Sequence, residues 1–550
     1  MFRASESITE ESSKAKMKMN GLEFKGMLES GCNNLNLHKK EVDALNVFPV
    51  PDGDTGTNMS LTFTNGIAEV RKSGSESLPV ILKSLSRGLL MGARGNSGVI
   101  LSQVFRGIYQ GLKDKDEVTV REFSDSLLNG TKLAYKAVMR PTEGTILTVV
   151  REASDYGSFY LNDHPEATMK EFVDEFVTQC RESLDRTPEL LPVLKEAHVV
   201  DSGGAGFLYI FTGFQAYLQG TPITEEAAEK VNTDTKNEHS SGYRTEFILD
   251  FDEKHRKSFK EDRFRKSIEQ LGNKVTLIVE EDGIKVRLNT MTPGEILMLG
   301  ERYGYFRKVQ IENIQDDLKP SLLDEVEEEK EAKEFGIIAV AAGEGVKKIF
   351  IDYRTDFVVS GGQTMNPSTE DFVSAIAKVN AKHIYILPNN SNIIMAAKQA
   401  AMVTEDKDII VLETKSIPQG LSACINFNPE ESVEANTEAM QDAIDHVTYG
   451  SVTYAIKDTT VDGREIHSGD YMGLVGKEIV VTSTDMMEAC RELIKKMMDD
   501  DSEIVTILKC ADASQDQADE LAAFVEDNFD VDVDLQDGGQ PVYSFVIGVE

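Results

Sequence analysis

From residue 21 to about residue 218 the apolar residues recur at a helical period, and nowhere in that stretch does an apolar–polar alternation mark a half-buried strand. "SLPVILKSLSRGLLMG" and "MKEFVDEFVTQCRESLDRT" show the pattern, each closed by a glycine-rich or polar turn. Faces of this kind can be buried only helix against helix, so residues 21–218 are read as an all-α domain. The pattern then changes twice. Polar, turn-rich "GTPITEEAAEKVNTDTKNEHSSG" marks a linker over 219–242. Beyond it, strand-like "YRTEFILDF", "KVTLIVEE", "GIKVRLNT" and "FRKVQIENI", with helical "KEDRFRKSIEQLG" and "TPGEILMLGERYG", give the order βαββαβ over 243–313. That order predicts a small α+β domain of the split-βαβ type. An acidic linker fills 314–335. From 336 to 550, runs such as "FGIIAVAA", "AKHIYILP" and "KDIIVLET" alternate with helical segments, the signature of a parallel α/β sheet. Hairpin-like segments from about 447 form a second α/β lobe of the same region. The fold class is therefore multidomain: an all-α block, a small α+β domain, then an α/β region. Residues 1–20 read as a flexible leader.

A chain of 550 residues is too long for one core, which agrees with this division. Its 58 basic and 94 acidic residues give a net charge of −36, a field that repels polyphosphate and anionic membrane, so no nucleic-acid partner is expected. The five cysteines are odd in number, widely spaced and form no CxxC pair, which suits a reducing cytoplasm. No stretch approaches 18 uninterrupted apolar residues, so no integral membrane segment is expected and the chain is read as cytoplasmic.

Three loops of the helical block carry chemistry. "NVFPVPDGDTGTNM" (46–59) holds Asp52 and Asp54 on either side of one glycine with no local cation, an arrangement that a divalent metal would complete. In "GLLMGARGNSGVILSQ" (88–103) Gly92, Gly95 and Gly98 recur between two helix patterns. Asn96 or Ser97 can cap the second helix there, and its free N–H groups, with Arg94 nearby, would face a phosphate. "VVDSGGAGFLYI" (199–210) sets Asp201 and Ser202 ahead of Gly203 and Gly204 at another helix start. Taken singly, each loop is as readily a capping turn or a tight interhelical contact. Together they suggest a nucleotide bound at helix ends.

These segments, with "RPTEGTILTVVREA" (140–153), resemble the signature segments of the ATP-binding subunit of bacterial fatty acid kinase. The N-terminal domain of that family is in turn similar to the nucleotide-binding domain of dihydroxyacetone kinase. The likeness extends over the chain, through "VVSGGQTMNPSTEDF" (358–372) and "LPNNSNIIMAAKQAA" (387–401). It implies a barrel of about eight antiparallel helices holding ATP with a pair of Mg2+ ions at one rim. Asp52 and Asp54 match the metal carboxylates, and Thr57 and Asn58 lie where phosphate or metal contacts are expected. Gly95, Asn96 and Ser97 match the phosphate-cradling turn, while Thr145 and Asp201, Ser202, Gly203 and Gly204 fall in loops enclosing the nucleoside.

The resemblance further implies a kinase acting on the carboxylate of a fatty acid, which a separate fatty-acid-binding protein of the DegV type presents, to give an acyl phosphate. A carboxylate is ionised at neutral pH and needs no general base, and His38, His164 and His198 all lie outside the glycine motifs. The C-terminal region is expected to dock the acyl carrier, with 360–368 either an anion site or a capped turn. A homodimer is in keeping with the family. The alternatives are a sugar kinase component of the dihydroxyacetone type and a non-catalytic ATP-binding scaffold.

Two departures stand out. Dihydroxyacetone kinase relatives have a third aspartate five residues before the first of the pair, where this chain has Val47, leaving Asn46, Asp43 or water as alternatives. In the middle domain the family carries a cysteine and two histidines suited to zinc, where this chain has Arg244, Arg287 and Asn289, so no zinc is expected.

Overall fold

In the computed structural model the described residues are 18–46, 53–225, 243–252, 259–269, 271–279, 283–290, 292–313, 332–362, 365–455, 458–461 and 464–550. Eight principal helices form the first block: α1 (Gly21–Leu45), α2 (Thr55–Ser73), α3 (Leu78–Met91), α4 (Gly95–Leu112), α5 (Val120–Ala137), α6 (Ile146–Asp163), α7 (Met169–Asp185) and α8 (Ser202–Leu218). Their starts follow from local chemistry. Asn20 with Glu23, Thr119 with Glu122 and Thr168 with Glu171 each form a reciprocal capping box, satisfying two amides at the heads of α1, α5 and α7. Each helix packs on the next, and α8 packs back on α1, closing a ring around one core that includes Phe63, Phe105, Phe172, Phe176 and Phe211. Short connections reverse direction between neighbours, so α2, α4, α6 and α8 all begin on the same rim.

One feature of this block is not helical. β1 (Lys18–Asn20) pairs antiparallel with β2 (Glu117–Thr119), tying the capped start of α1 to the capped start of α5. Residues 18–20 are therefore part of the fold and not of a flexible leader. Three residues are too few for an alternation to register in the sequence.

Residues 1–230 and 332–550 form one compact unit, and residues 231–331 another. In the first unit the α/β region has a four-stranded parallel sheet in the order β10–β9–β7–β8, built from β7 (Lys333–Ala341), β8 (Phe357–Ser360), β9 (Ala381–Leu387) and β10 (Asp408–Val411). The second lobe is a six-stranded sheet ordered β15–β14–β11–β18–β16–β17. Its strands are β11 (Thr448–Tyr454), β14 (Tyr471–Val475), β15 (Glu478–Ser483), β16 (Ile504–Lys509), β17 (Asp532–Asp537) and β18 (Phe545–Val549), with a small ribbon of β12 (Thr459–Val461) and β13 (Arg464–Ile466) beside it. Only β16 and β17 pair in parallel, because β18 returns antiparallel between β11 and β16.

The α/β region packs directly on the helical ring. Ala93 and Val99 are buried in the same cluster as Ile338, Val340, Phe372 and Ile386. Gln103 Nε2 donates to Gln399 Oε1 at 3.1 Å, and Gln399 Nε2 donates to the Leu90 carbonyl at 2.9 Å. The helical block and the α/β region thus share a core although the middle unit separates them in sequence.

The middle unit has β3 (Tyr243–Phe251), β4 (Asn273–Val279), β5 (Gly283–Thr290) and β6 (Gly304–Asn313) in the order β4–β5–β3–β6, every neighbour antiparallel, with helices Glu261–Glu269 and Pro293–Glu301. This is the split-βαβ arrangement, and Phe247, Leu249, Phe264, Ile268 and Val286 fill its core. The register sets Arg244 opposite Asn289 and Glu246 opposite Arg287. Arg287 Nε lies 2.8 Å from Glu246 Oε1, an exposed ion pair worth about 1 kcal/mol or less. Among the described residues no helix is long and apolar enough to cross a membrane.

Candidate functional site at the barrel rim

The rim begins with Asp54, which precedes α2 without capping it. Its carboxylate is 9% exposed, hydrogen-bonded by the Asn58 side-chain amide and, through Oδ2, by Asn366 Nδ2 at 2.5 Å. Burial pushes its pKa above the usual carboxylate value, the amides oppose that rise, and the nearby charge of Asp43 adds to it. Among the described residues no ion pair involves Asp54. Asp43, in the last turn of α1, accepts the Thr57 N–H and hydroxyl, both at 2.8 Å. Thr57 and Asp43 thus cap α2 between them. Asp52 and Val47 lie outside the described residues. Asn46 closes α1, its backbone N–H donating to the Asp43 carbonyl at 3.1 Å.

The start of α4 lies beside that of α2. Gly95 has φ +59°, and a Cβ built there would stand 2.6 Å from Asn58 Nδ2. No side chain caps α4: Asn96, expected as a cap, instead donates through Nδ2 to Asn392 Oδ1 at 3.2 Å, while Ser97 is half-buried in the same turn. The reason is that the helix starts at Gly95 with Arg94 as its N-cap, so Asn96 lies inside the first turn, one residue beyond Gly95. The first amides of α4 thus keep their donor character free of a side-chain acceptor. Arg94 is likewise committed to the α/β region, with Nη1 donating to the Asn366 carbonyl at 2.8 Å and lying 3.5 Å from Asp371 Oδ2.

α6 and α8 make the other half of the rim. Thr145 caps α6, its hydroxyl accepting the Leu147 N–H at 3.4 Å and donating to the Thr142 carbonyl at 2.8 Å. Asp201 caps α8, with Oδ2 accepting the Gly204 N–H at 2.7 Å, and it also accepts the amides of Ile146 and Gly203. It therefore stitches the heads of α6 and α8 together. Ser202, Gly203 and Gly204 form the buried first turn of α8. The structure brings Asp54, Thr57, Asn58, Gly95, Asn96 and Ser97 to one half of the rim and Thr145 and Asp201–Gly204 to the other.

Asn366 lies in the 360–368 turn that the sequence marked as an anion site or a capped turn, but it was not singled out as a partner of Asp54. The only local signal is the turn it precedes: Pro367, then Ser368 and Asp371 in a capping box that starts the helix Thr369–Lys378. Asn366 is 2% exposed, and its Oδ1 is buried without a hydrogen-bond partner. Such an orphaned oxygen beside an unpaired, buried carboxylate suits a hard cation. Mg2+ takes oxygen ligands, usually one or two carboxylates with water and phosphate, so the donor set fits it. Among the described residues no group of three or more His, Cys, Asp or Glu side chains is placed to hold a metal on its own.

Burial raises the Asp201 pKa from 3.8 to about 6, against the pull of the Gly204, Ile146 and Gly203 amides. Over that interval the folded chain binds a proton that the unfolded chain has released, so this group's contribution to stability falls as pH rises from about 4 to about 6. Asp201→Asn removes the titration. Its melting temperature relative to wild type is expected to be more favourable at pH 7 than at pH 4.5, by an amount reflecting about 2–3 kcal/mol. Melting curves of both proteins across this range check the sign.

Comparison with known proteins gives a consistent picture. Residues 49–216 match the profile of the DAK2 domain, 240–320 that of the middle domain of FakA-like fatty acid kinase proteins, and 336–550 that of the C-terminal domain of the same FakA-like group. The chain is 42% identical to Protein YloV of Bacillus subtilis over 97% of its own length and 99% of that protein. It is 40% identical to the uncharacterized protein SAR1202 of Staphylococcus aureus, over 97% and 100%. Among solved structures, the dihydroxyacetone kinase from C. freundii in complex with AMP-PNP and Mg2+ is 18% identical over 35% of this chain and 33% of its own, at a TM-score of 0.28.

Proposed function

The chain belongs to the FakA-like fatty acid kinase family, and from that premise we propose that it transfers the γ-phosphoryl group of ATP to the carboxylate of a fatty acid presented by a separate fatty-acid-binding protein of the DegV type. The observation that carries the reading is the convergence of the heads of α2 and α4 on Asp54, whose buried carboxylate has amide partners and, among the described residues, no ion pair. Asp54, with Asp52 beside it in sequence and the Asn58 and Asn366 amides, would hold Mg2+, which when bound neutralises phosphate charge. The amides of Gly95, Asn96 and Ser97 at the head of α4 would donate to the phosphates. The loops at Thr145 and Asp201–Gly204 would enclose the nucleoside.

The transfer balances without a protein base. A carboxylate oxygen of the fatty acid attacks the γ-phosphorus, the bond to the β,γ-bridging oxygen breaks, and ADP departs with that electron pair. No proton moves, in keeping with a rim whose placed residues include no histidine. A cytoplasmic, homodimeric protein working with its carrier completes the proposal.

The decisive assay combines labelled ATP, Mg2+, this chain and an oleate-loaded DegV-type protein, and traps acyl phosphate with hydroxylamine. Hydroxamate formation that requires all four components is the expected result. Turnover with dihydroxyacetone and none with loaded carrier would replace this reading with the sugar-kinase one. Nucleotide binding without transfer to either would replace it with the scaffold. Asn366→Ala provides a finer check: loss of a hydrogen bond to a charged group, about 1.5–3 kcal/mol, is expected to raise the Mg2+ concentration for half-maximal rate by at least about tenfold. An unchanged Mg2+ dependence would remove Asn366 from the site.

A further inference from the structure

Residues 366–369 belong to the α/β region but lie across the barrel rim, and one arginine of the rim grips them. The Thr369 N–H donates to the Ala93 carbonyl at 3.2 Å, and Arg94 and Ser368 face each other as an isolated antiparallel bridge. Arg94 Nη1 then donates to the Asn366 carbonyl at 2.8 Å. We propose that these residues form a strap completing the cation site, and that Arg94 is its positioning residue, which binds no phosphate and acts by fixing Asn366 against Asp54. The proposal rests on the kinase reading of the rim.

The strap is firmly seated on its own side. The Gly361 N–H donates to the Ala341 carbonyl at the end of β7 at 3.1 Å, and Gly362 and Met365 exchange backbone bonds at 3.1 and 3.4 Å. A Cβ at Gly361 would stand 2.5 Å from Pro367 Cγ, so the proline ring packs directly on that glycine. Pro367 also disfavours helical backbone at Asn366. What these contacts leave open is the peptide unit between Asn366 and Pro367. Its nitrogen is proline's and carries no hydrogen, so the carbonyl is the one hydrogen-bonding group the unit offers. Asn366 is 2% exposed, and a buried carbonyl needs a donor. Arg94 is that donor.

The arginine is itself anchored from the barrel side. Its N–H donates to Thr62 Oγ1 at 3.2 Å, and Thr62 Oγ1 donates to the Asn58 carbonyl at 2.7 Å. The Arg94 backbone is thus tied to the same residue of α2 whose side chain bonds Asp54. Its guanidinium also lies 3.5 Å from Asp371 Oδ2, an oxygen that already accepts the Ser368 N–H and hydroxyl at 2.6 and 2.8 Å. A phosphate that drew the guanidinium away would orphan the buried Asn366 carbonyl. That cost favours positioning over phosphate contact.

These contacts end on the side chain of Asn366. Its Nδ2 donates to Asp54 Oδ2 at 2.5 Å, while its Oδ1 is buried without a hydrogen-bond partner. One amide group therefore presents a donor to the carboxylate and a bare oxygen beside it, and both are aimed only while the residue is held still. Were the 366–367 peptide to tilt, the Cα–Cβ bond would swing and carry both atoms with it. The Arg94 bond to the carbonyl opposes that tilt.

Wild type, Arg94→Ala, Asn366→Ala and the double variant, all as full chains, are titrated with AMP-PNP by calorimetry at a series of Mg2+ concentrations, a readout that needs no turnover. Arg94→Ala is expected to raise the Mg2+ concentration for half-maximal AMP-PNP affinity by about three- to tenfold, with affinity at saturating Mg2+ close to wild type. Because Arg94 acts through Asn366, the double variant should match Asn366→Ala alone. Affinity lowered at every Mg2+ concentration, with additive effects in the double variant, would make Arg94 a phosphate ligand and overturn the proposal. An unchanged Mg2+ dependence would overturn it as well. Arg94→Met, which keeps the aliphatic stem, replaces Arg94→Ala should the latter melt early. Hydrogen exchange of the nucleotide-free chain reads the strap separately: the peptide containing Ser368 and Thr369 should exchange faster in the Arg94 variant than in wild type. Equal exchange would mean that the strap holds without Arg94, and the proposal falls. Should wild type bind no Mg2+·AMP-PNP, the kinase reading fails and the metal role with it, whereas the exchange measurement still decides whether Arg94 holds the strap.

Discussion

Asp54→Asn is expected to lower Mg2+-dependent phosphoryl transfer by about 10²–10³-fold while leaving the melting temperature at neutral pH equal to or above that of wild type. The two halves of this expectation come from the same geometry. The carboxylate is buried with Asn58 and Asn366 amides as partners, no ion pair among the described residues, and the charge of Asp43 nearby, so the fold holds it in a place that disfavours its ionised form. Its pKa is raised above 3.8, so the fold binds its proton more readily than the unfolded chain does. Its contribution to apo stability therefore falls as pH rises from about 4 into the range of the raised value. The neutral amide of Asn is nearly isosteric and removes that cost. A divalent cation reverses the balance for wild type alone, so Mg2+·AMP-PNP should raise the melting temperature of wild type by more than that of the variant. Steady-state rates at several Mg2+ concentrations, with melting curves at pH 5 and pH 7, check both halves. A variant that turns over normally would mean that Asp54 is a structural carboxylate.

What was legible in the sequence was whatever a short window contains. The helical period of the first block and the βαββαβ order of the middle unit follow from patterns in line. The glycine turn and the DSGG turn do stand at helix heads on one rim, because their residues bring their own backbone requirements with them. The contact of Asn366 with Asp54 was not legible, since the two meet across 312 residues and nothing in the intervening chain encodes that distance. The same holds for the contact of Asn96 Nδ2 with Asn392, 296 residues away, while its role as a cap failed for a local reason, the helix starting at Gly95. The last strand, β18, inserts between β11 and β16, and no periodicity reveals which pair of strands a terminal strand will separate. The division into three blocks did not reveal that the first and the third share a core: Ala93 and Val99, two apolar residues beside a glycine motif, are buried against the sheet region.

Gly95→Ala is expected to cost both stability and activity, and comparison with Gly74→Ala separates the two. Both glycines have left-handed backbones, with φ +59° and +60°. An alanine at either position pays about 1–2 kcal/mol for that conformation. At Gly74, the C-cap of α2, the added methyl meets nothing within 4 Å, so the loss ends there and turnover should be unchanged. At Gly95 the methyl stands 2.6 Å from Asn58 Nδ2 and 3.1 Å from its Cγ. Asn58 is 4% exposed and cannot swing into solvent, so relief requires moving either its side chain, which bonds Asp54, or the head of α4, which carries the amides proposed for phosphate. Either movement displaces a partner of the reacting phosphate, and a shift of about 1 Å can cost about 10²-fold in rate. Gly95→Ala should thus lose at least that factor while melting only a little below Gly74→Ala. Equal turnover in the two variants would show that the contact between Asn58 and the head of α4 positions nothing in the reaction, and that the glycine serves backbone conformation alone.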